Sequence, residues 1–182
     1  MSLTLDYTDF AGAVIIRPQV FSDSRGHFLE TFNRRRWLEY DLPAEFVQDN
    51  QSKSAKFTLR GLHFQRPPFQ QGKLVRVIHG SALDIAVDLR KASPTYGHHI
   101  AIELRGDEHI QLYIPEGFAH GFITLEEDTI FAYKCTSYYT PEAEGGLPWN
   151  DLDLDIPWPT SNPVLAAKDT SYAPFSSFDS PF

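Results

Sequence analysis

Residues 57–90, with the sequence FTLRGLHFQRPPFQQGKLVRVIHGSALDIAVDLR, contain three strand-like segments separated by turn residues. In the last segment, residues 83–90, apolar side chains alternate with aspartate, alanine and arginine, which is the period-two pattern of a strand with one apolar face. Residues 59–65 and 73–79 have the same strand character, and Gly80 with Ser81 suits a tight turn. Mid-strand carboxylates need partners, so we expect the polar face to line a wet or charged cavity. The chemically notable side chains of the three strands are His63, Lys73 and Asp84.

Further short strands are predicted after this stretch. Candidates at residues 99–104, 109–114, 121–125 and 129–136 are separated by turn signals. Short strands at this spacing, with few helical stretches, indicate an all-β barrel or sandwich. No linker or internal repeat divides the chain, so we predict a single domain over residues 1–182.

The N-terminal segment adds strands and one helix. The strand before Pro18 is predicted to lie at a sheet edge, because proline cannot donate to a ladder. Residues 21–32 suggest a hairpin, and residues 33–40 a short helix capped by Asn33. Residues 46–56 are predicted to form a polar loop or an edge strand.

Composition restricts the function classes. The 182 residues have a net charge of −8, which argues against general nucleic-acid binding. Residues 1–102 hold 13 Lys and Arg against 10 Asp and Glu, and residues 103–182 hold 3 against 14, so an anionic ligand should lie against the first half. A single cysteine, no apolar run of about 18 residues and no secretory signal pattern predict a cytoplasmic protein with no membrane partner.

The seven histidines do not form a metal-binding pattern. No His-x-His occurs, His98 and His99 would point to opposite sides of a strand, and His63 has no neighbouring ligands. From the residues alone, His63 suits a catalytic base and a buried core histidine equally well. A bulge at Gly61 would bring Arg60 and His63 into one cavity.

Four motifs resemble one family. RGLHFQ at 60–65, QGKLVRVIHGSALDIAVDLRKASPTYG at 71–97, IPEGFAHGF at 114–122 and YYTPEAEGGLPWND at 138–151 closely resemble the dTDP-4-dehydrorhamnose 3,5-epimerases, a cupin-type nucleotide-sugar family. The resemblance covers roughly residues 14–170. It implies a cupin-like jelly-roll barrel with a few short helices, no metal or organic cofactor, and a C-terminal tail at about residues 160–182. It also implies a homodimer that exchanges its N-terminal strands, within residues 1–32.

The resemblance further implies a reaction and its residues. The reaction is epimerisation at carbons 3 and 5 of dTDP-4-dehydro-6-deoxy-D-glucose. The base matches His63, its orienting aspartate Asp169, the acid Tyr133 and the site lysine Lys73. The substrate-binding positions implied by the family are Arg25, Phe28, Glu30, Gln48, Asn50, Arg60, His120, Tyr139, Glu144 and Lys168, with Tyr139 stacking on the thymine.

These residue types suit the chemistry. Protons on carbons 3 and 5 lie next to a ketone, so their removal gives an enolate that needs a base, a cation near the oxygen and an acid on the opposite face. Asp84 is our own addition, as a partner of Lys73 or His120. Three alternatives remain open: an epimerase that inverts one carbon or uses a related sugar, a non-catalytic sugar-nucleotide-binding barrel, and a metal-dependent cupin enzyme.

Overall fold

Strands account for most of the secondary structure in the computed structural model, which describes residues 2–182. The first half contains β1 (Leu3–Tyr7), β2 (Val14–Pro18), β3 (Val20–Asp23), β4 (Gly26–Leu29), helix α1 (Arg34–Glu39), β5 (Gln48–Ser54), β6 (Leu59–Gln65), β7 (Lys73–His79) and β8 (Ser81–Asp88). The second half contains β9 (His99–Arg105), β10 (Gln111–Ile114), β11 (Phe118–Thr124), β12 (Thr129–Cys135), β13 (Glu144–Gly146) and short 3-10 turns at Pro141–Ala143, Ala167–Thr170 and Phe175–Ser177.

Two antiparallel sheets enclose the interior of a barrel. The first has the order β1-β2-β10-β7-β12-β5, and the second has the order β13-β6-β11-β8-β9. Within residues 2–182, strands β3 and β4 pair only with each other. The predicted all-β barrel is therefore confirmed. Among the helices in residues 2–182, none has both the length and the apolar character needed to cross a membrane.

The barrel interior is apolar over part of its length. Phe122 of one sheet stacks on Phe131 of the other, with ring centroids 3.8 Å apart. The buried aliphatic side chains around them include Val75, Val77 and Leu112. Because this cluster fills the space between the sheets, it leaves the polar side chains of β6, β7, β11 and β12 gathered in the remaining interior.

The outer faces of both sheets are also covered. Trp37 of α1 is buried against the first sheet. On the second sheet, Phe175, Phe178 and Phe182 of the C-terminal tail pack over buried residues that include Leu62. The tail therefore contributes to the core as well as to the site described below.

Several local predictions can be compared with the structure. Asn33 caps α1 as predicted, since its side chain accepts from the Arg36 backbone N–H at 3.3 Å. Residues 48–54 form an edge strand. The edge position predicted from Pro18 is wrong: β2 lies between β1 and β10. Proline is tolerated because it is the last residue of β2, beyond the pairing with β10.

The polar face predicted for residues 83–90 is buried at both carboxylates, Asp84 and Asp88. Strand β8 is buried on both sides, because the tail covers its apolar face and the barrel interior encloses the other. Asp88 is satisfied locally by Arg90, Ser93 and Thr95, which lower its pKa to about 2 against the opposing effect of burial. Of the two carboxylates on this strand, only Asp84 belongs to the cavity chemistry.

Candidate active site

A histidine and an aspartate from distant parts of the chain meet in the barrel. His63 Nε2 lies 2.6 Å from Asp169 Oδ1, and 106 residues separate the two in sequence. Because a carboxylate accepts, the proton lies on Nε2, and Nδ1 carries the free lone pair. The Asp169 side chain is 2% exposed and the His63 side chain 22%. The pair is therefore sealed at the carboxylate and reachable at the imidazole.

A local irregularity of β6 turns Arg60 and His63 to the same cavity. His63 pairs with His120 on β11 and Arg60 with Phe122, so β6 has one more residue than β11 between these pairs. Gly61 lies within this segment with a φ of +144°, a value that L side chains rarely adopt. The predicted bulge is confirmed, and Arg60 donates to Ser54 Oγ at 3.2 Å.

Lys73 and Tyr133 come from the sheet opposite His63. The Lys73 ammonium lies 6.0 Å from the centroid of the Tyr133 ring. Burial lowers the pKa of Lys73, and the charges of the Asp84 and Glu144 carboxylates oppose this shift. Burial also raises the pKa of Tyr133. The tyrosine is therefore a hydroxyl donor at neutral pH, across the barrel from the histidine.

Polar side chains of β5 extend this wall of the cavity. Gln48 donates to Asn50 Oδ1 at 3.0 Å and accepts from the Tyr139 backbone N–H at 2.8 Å. Asn50 Nδ2 contacts Cys135 Sγ at 3.7 Å. Burial raises the pKa of this thiol. These contacts place Gln48 and Asn50 beside Tyr139 and Cys135, and Cys135 was not predicted.

A second histidine–aspartate pair lies beside the first. His120 Nε2 is 2.8 Å from Asp84 Oδ2, with the side chains 7% and 0% exposed. Burial lowers the pKa of His120, and the Asp84 charge opposes this shift. The predicted contact between Asp84 and His120 is confirmed. Asp84 Oδ1 is buried and has no hydrogen-bond partner among the described residues.

Three side chains form a polar group where the tail meets β13. Lys168 Nζ donates to Glu144 Oε1 at 2.6 Å, and the Tyr139 hydroxyl donates to Glu144 Oε2 at 3.1 Å. The Tyr139 ring is half exposed. Glu144 thus joins two predicted substrate-binding residues, and the exposed ring is free to stack on a planar group.

Three predicted binding residues lie outside the barrel. Arg25 pairs with Asp23 of its own hairpin at 2.5 Å, its side chain 87% exposed. Phe28, on the same hairpin, is 60% exposed. Glu30 binds Arg36 and Asn33 at 2.9 Å each, at the start of α1. Within residues 2–182, no hydrogen bond or ion pair joins these three to the interior residues.

Tyr172 at the edge of the site was not predicted. Its ring meets the His63 ring edge-on, with centroids 6.1 Å apart and planes at 68°. The only sequence signal would have been an aromatic residue three positions after Asp169, and such residues are common in packed tails.

Comparison with known proteins identifies one family. A sequence profile described as dTDP-4-dehydrorhamnose 3,5-epimerase matches residues 7–177. The enzyme of that name from Methanothermobacter thermautotrophicus is 48% identical over 170 residues, which are 92% of this chain and 91% of the relative. Two crystal structures are each 42% identical. One, from Bacillus anthracis with TDP and PPi bound, has a TM-score of 0.93 and covers 95% of this chain and 99% of its own. The other, from Legionella pneumophila in complex with dTDP-4-keto-L-rhamnose, has a TM-score of 0.92 and covers 98% and 95%.

Proposed function

The chain belongs to the dTDP-4-dehydrorhamnose 3,5-epimerase family, and we propose that His63, Asp169, Lys73 and Tyr133 carry out its reaction. The enzyme is an isomerase with a cupin-like fold. It inverts carbons 3 and 5 of dTDP-4-dehydro-6-deoxy-D-glucose to give dTDP-4-dehydro-L-rhamnose. The observation that carries the assignment of residues is the placement of His63 and Tyr133 on opposite sheets of one barrel.

Inversion needs a base and an acid on opposite faces of the sugar. A ring bound between the sheets presents one face to His63 and the other to Tyr133. His63 Nδ1 takes the proton from the carbon next to the ketone, and the C–H electron pair forms the enolate C=C bond. The Nε2–H bond to Asp169 fixes the ring and stabilises the imidazolium.

The enolate places negative charge on the oxygen of carbon 4. Lys73 suits stabilisation of that charge, because its ammonium has no hydrogen bond or ion pair to any described residue and lies in an enclosed, polar part of the barrel. A positioned charge that is shielded from water stabilises an oxyanion more strongly than one in solution. His120, held by Asp84, lies on the strand beside His63 and completes this wall.

Tyr133 returns the proton. Its raised pKa keeps the hydroxyl protonated at neutral pH, and donation from the face opposite His63 inverts the carbon. Both reacting carbons flank the same ketone, so one set of residues serves both inversions. The reaction contains no redox step and requires no cofactor.

The nucleotide end of the substrate has separate contacts. Arg60 can bind diphosphate oxygens with two donors, and Lys168 adds a cation at the rim of the cavity. The half-exposed Tyr139 ring would stack on thymine, a contact worth about 1–3 kcal/mol by analogy with other nucleobases. Discrimination of thymine from uracil would depend on one methyl group and should be modest.

We also propose a homodimer in the cytoplasm. Hairpin β3–β4 pairs with no other strand in the part of the chain that the structure describes, and Val20, Phe21 and Phe28 on it are each more than a third exposed. If each hairpin reaches into the partner's barrel, Arg25 and Phe28 meet the substrate of the other subunit. Strands β1 and β2 complete the sheet of their own chain, so the proposed exchange concerns the hairpin. The cytoplasmic location is supported by the lone cysteine, Cys135, which is free and buried.

Complementation tests the dimer. Arg25→Ala and His63→Ala chains are co-expressed with different tags, and the heterodimer is purified through both tags. If Arg25 acts on the partner's site, one of the two sites is intact and about half the wild-type activity returns. Activity that stays at the level of the single variants would place Arg25 in its own subunit's site, and wild-type activity in the Arg25→Ala homodimer would place it in neither site.

Deuterium incorporation tests the reaction. The substrate is incubated with the wild-type protein in deuterated water and followed by proton NMR. Deuterium at carbons 3 and 5 together with inversion is the expected result. Exchange at one carbon would show a single-centre epimerase, and binding without exchange a sugar-nucleotide-binding protein. Elemental analysis of the same sample tests the metal-dependent alternative; the described residues contain no group of three or more suitable ligand side chains.

A further inference from the structure

The ring of Tyr172 is enclosed between the catalytic histidine and the backbone of β13. On one side it meets the His63 imidazole in an edge contact. On the other side it lies over Gly146, where an added Cβ would come within 2.7 Å of three atoms of the ring. Gly146 is also the residue that pairs with His63 between β13 and β6. The ring therefore fills a slot formed by two residues that are direct cross-strand partners in the sheet.

The chain on both sides of Tyr172 is held in place. Before it, Ser171 Oγ donates to the Lys168 carbonyl at 3.0 Å, and this closes the turn that carries Asp169. After it, the Phe175 backbone N–H donates to Asp151 Oδ2 at 2.7 Å. Tyr172 is thus the aromatic side chain between two anchored segments, and its position is coupled to that of Asp169.

We propose that Tyr172 is a positioning residue that holds the His63 ring against Asp169, with Gly146 supplying the space for it. The inference rests on the proposed function, in which His63 is the base. The imidazole pivots about its Cβ–Cγ bond, and the hydrogen bond to Asp169 restrains only one nitrogen. The ring of Tyr172 blocks rotation away from that bond, so Nδ1 stays directed at the substrate.

The ring of Tyr172, and not its hydroxyl, is assigned this role. The hydroxyl has no hydrogen bond to any described residue, whereas the ring contacts His63 and Gly146. Burial raises the pKa of Tyr172, so the neutral phenol persists through the working pH range. A phenylalanine should therefore replace it with little loss.

Two substitutions of Tyr172 separate the ring from the hydroxyl. Tyr172→Phe should keep kcat within about twofold of wild type, and Tyr172→Ala should lower kcat about tenfold with KM nearly unchanged. Equal losses in both variants would assign the effect to the hydroxyl and overturn the proposal. A raised KM with normal kcat in Tyr172→Ala would show a substrate contact and overturn it as well.

Gly146 supplies an independent test that leaves Tyr172 in place. Gly146→Ala, at a backbone conformation that alanine can adopt, should displace the ring and lower kcat about as much as Tyr172→Ala. In the double variant the alanine has no ring to displace, so the two losses should not add. Additive losses would show that Gly146 acts by another route and would contradict the slot.

A spectroscopic measurement separates positioning from loss of folding. The short Nε2–H bond to Asp169 should give a downfield proton signal in the free wild-type protein, identified by its absence in Asp169→Asn. The signal should persist in Tyr172→Phe and broaden or vanish in Tyr172→Ala and Gly146→Ala. An unchanged signal in a variant that merely unfolds at lower temperature overturns the proposal. If wild type shows the signal but no turnover, the proposed function has failed and the positioning has not.

Discussion

The two histidine–aspartate pairs share one geometry and differ in access. His63 and His120 are direct cross-strand partners, and each Nε2 donates to a buried carboxylate at 2.6 or 2.8 Å. The His63 side chain is 22% exposed and the His120 side chain 7%. The two pairs therefore make the same kind of hydrogen bond, and their different exposure to solvent assigns them different roles.

The partly exposed pair, His63 and Asp169, can exchange a proton with a ligand. The buried pair, His120 and Asp84, is better suited to keep the wall of the site in place. Asp169 arrives on a tail turn that also carries Lys168, so the first pair is assembled from the mouth of the barrel. Asp84 lies within β8, so the second pair is assembled inside one sheet. We infer that His63 is the base and that His120 binds the substrate without taking its proton.

Substitution of each histidine should give the largest difference in activity between the two pairs. His63→Ala should lower kcat about 10³- to 10⁴-fold, because the base is lost. His120→Ala should lower kcat/KM by only about 10- to 100-fold, because a contact to the substrate is lost. Initial rates by chromatography of the nucleotide sugars measure both. A larger loss in His120→Ala would reverse the assignment.

Asp169→Asn should have the next largest effect. An asparagine can present its NH₂ group to Nε2, which favours the tautomer with the proton on Nδ1 and disables the base. We expect kcat to fall about 100-fold. The same kinetic assay with a matched Asp179→Asn control, an exposed tail aspartate that pairs with Lys91, should show the loss to be specific. A wild-type rate for Asp169→Asn would remove the orienting role.

Asp84→Asn should affect stability as well as rate. One carboxylate oxygen already lacks a partner, so the substituted amide places an N–H in a buried site without an acceptor. The free energy of unfolding should fall by about 1–3 kcal/mol. The neutral amide oxygen accepts the His120 N–H more weakly than the carboxylate does, and the poorer orientation of His120 should lower kcat about tenfold. Urea unfolding and initial rates measure these two effects, and an unchanged rate would leave Asp84 with a structural role only.

The smallest predicted effect is the pH dependence of stability due to His120. Its pKa is lowered by burial, with Asp84 opposing and Lys73 and His63 contributing in the same direction as burial. As the pH falls below about 6.5, the unfolded chain binds a proton at His120 more readily than the folded protein does. The free energy of unfolding therefore decreases as the pH falls below this value. His120→Gln should flatten that slope in urea unfolding measured between about pH 7.5 and 5.5. An unchanged slope would assign it to other groups.

Strand positions were largely predictable from the sequence, because alternation and turn residues are local. The bulge at Gly61 was predictable for the same reason. What covers each face of a strand was not predictable from the sequence. Nothing near residues 83–90 indicates that Phe175 and Phe178 return to cover that strand, or that Asp88 is satisfied within its own loop.

The partners of the site residues depend on contacts across the chain. The family resemblance placed Asp169 beside His63, but no local pattern could, since 106 residues separate them. The roles of Tyr172 and Gly146 depend on one side chain fitting a slot in another segment. Periodicity carries no information on such fits.

Deuterium exchange in Tyr133→Phe tests the central claim most directly. Without the acid, His63 should still remove the proton and return a deuteron from solvent to the same face. The substrate in deuterated water should therefore gain deuterium next to the ketone without inversion, whereas His63→Ala should show neither. Inversion by Tyr133→Phe at the wild-type rate, or exchange by His63→Ala, would contradict a barrel in which the base and the acid act from opposite sheets.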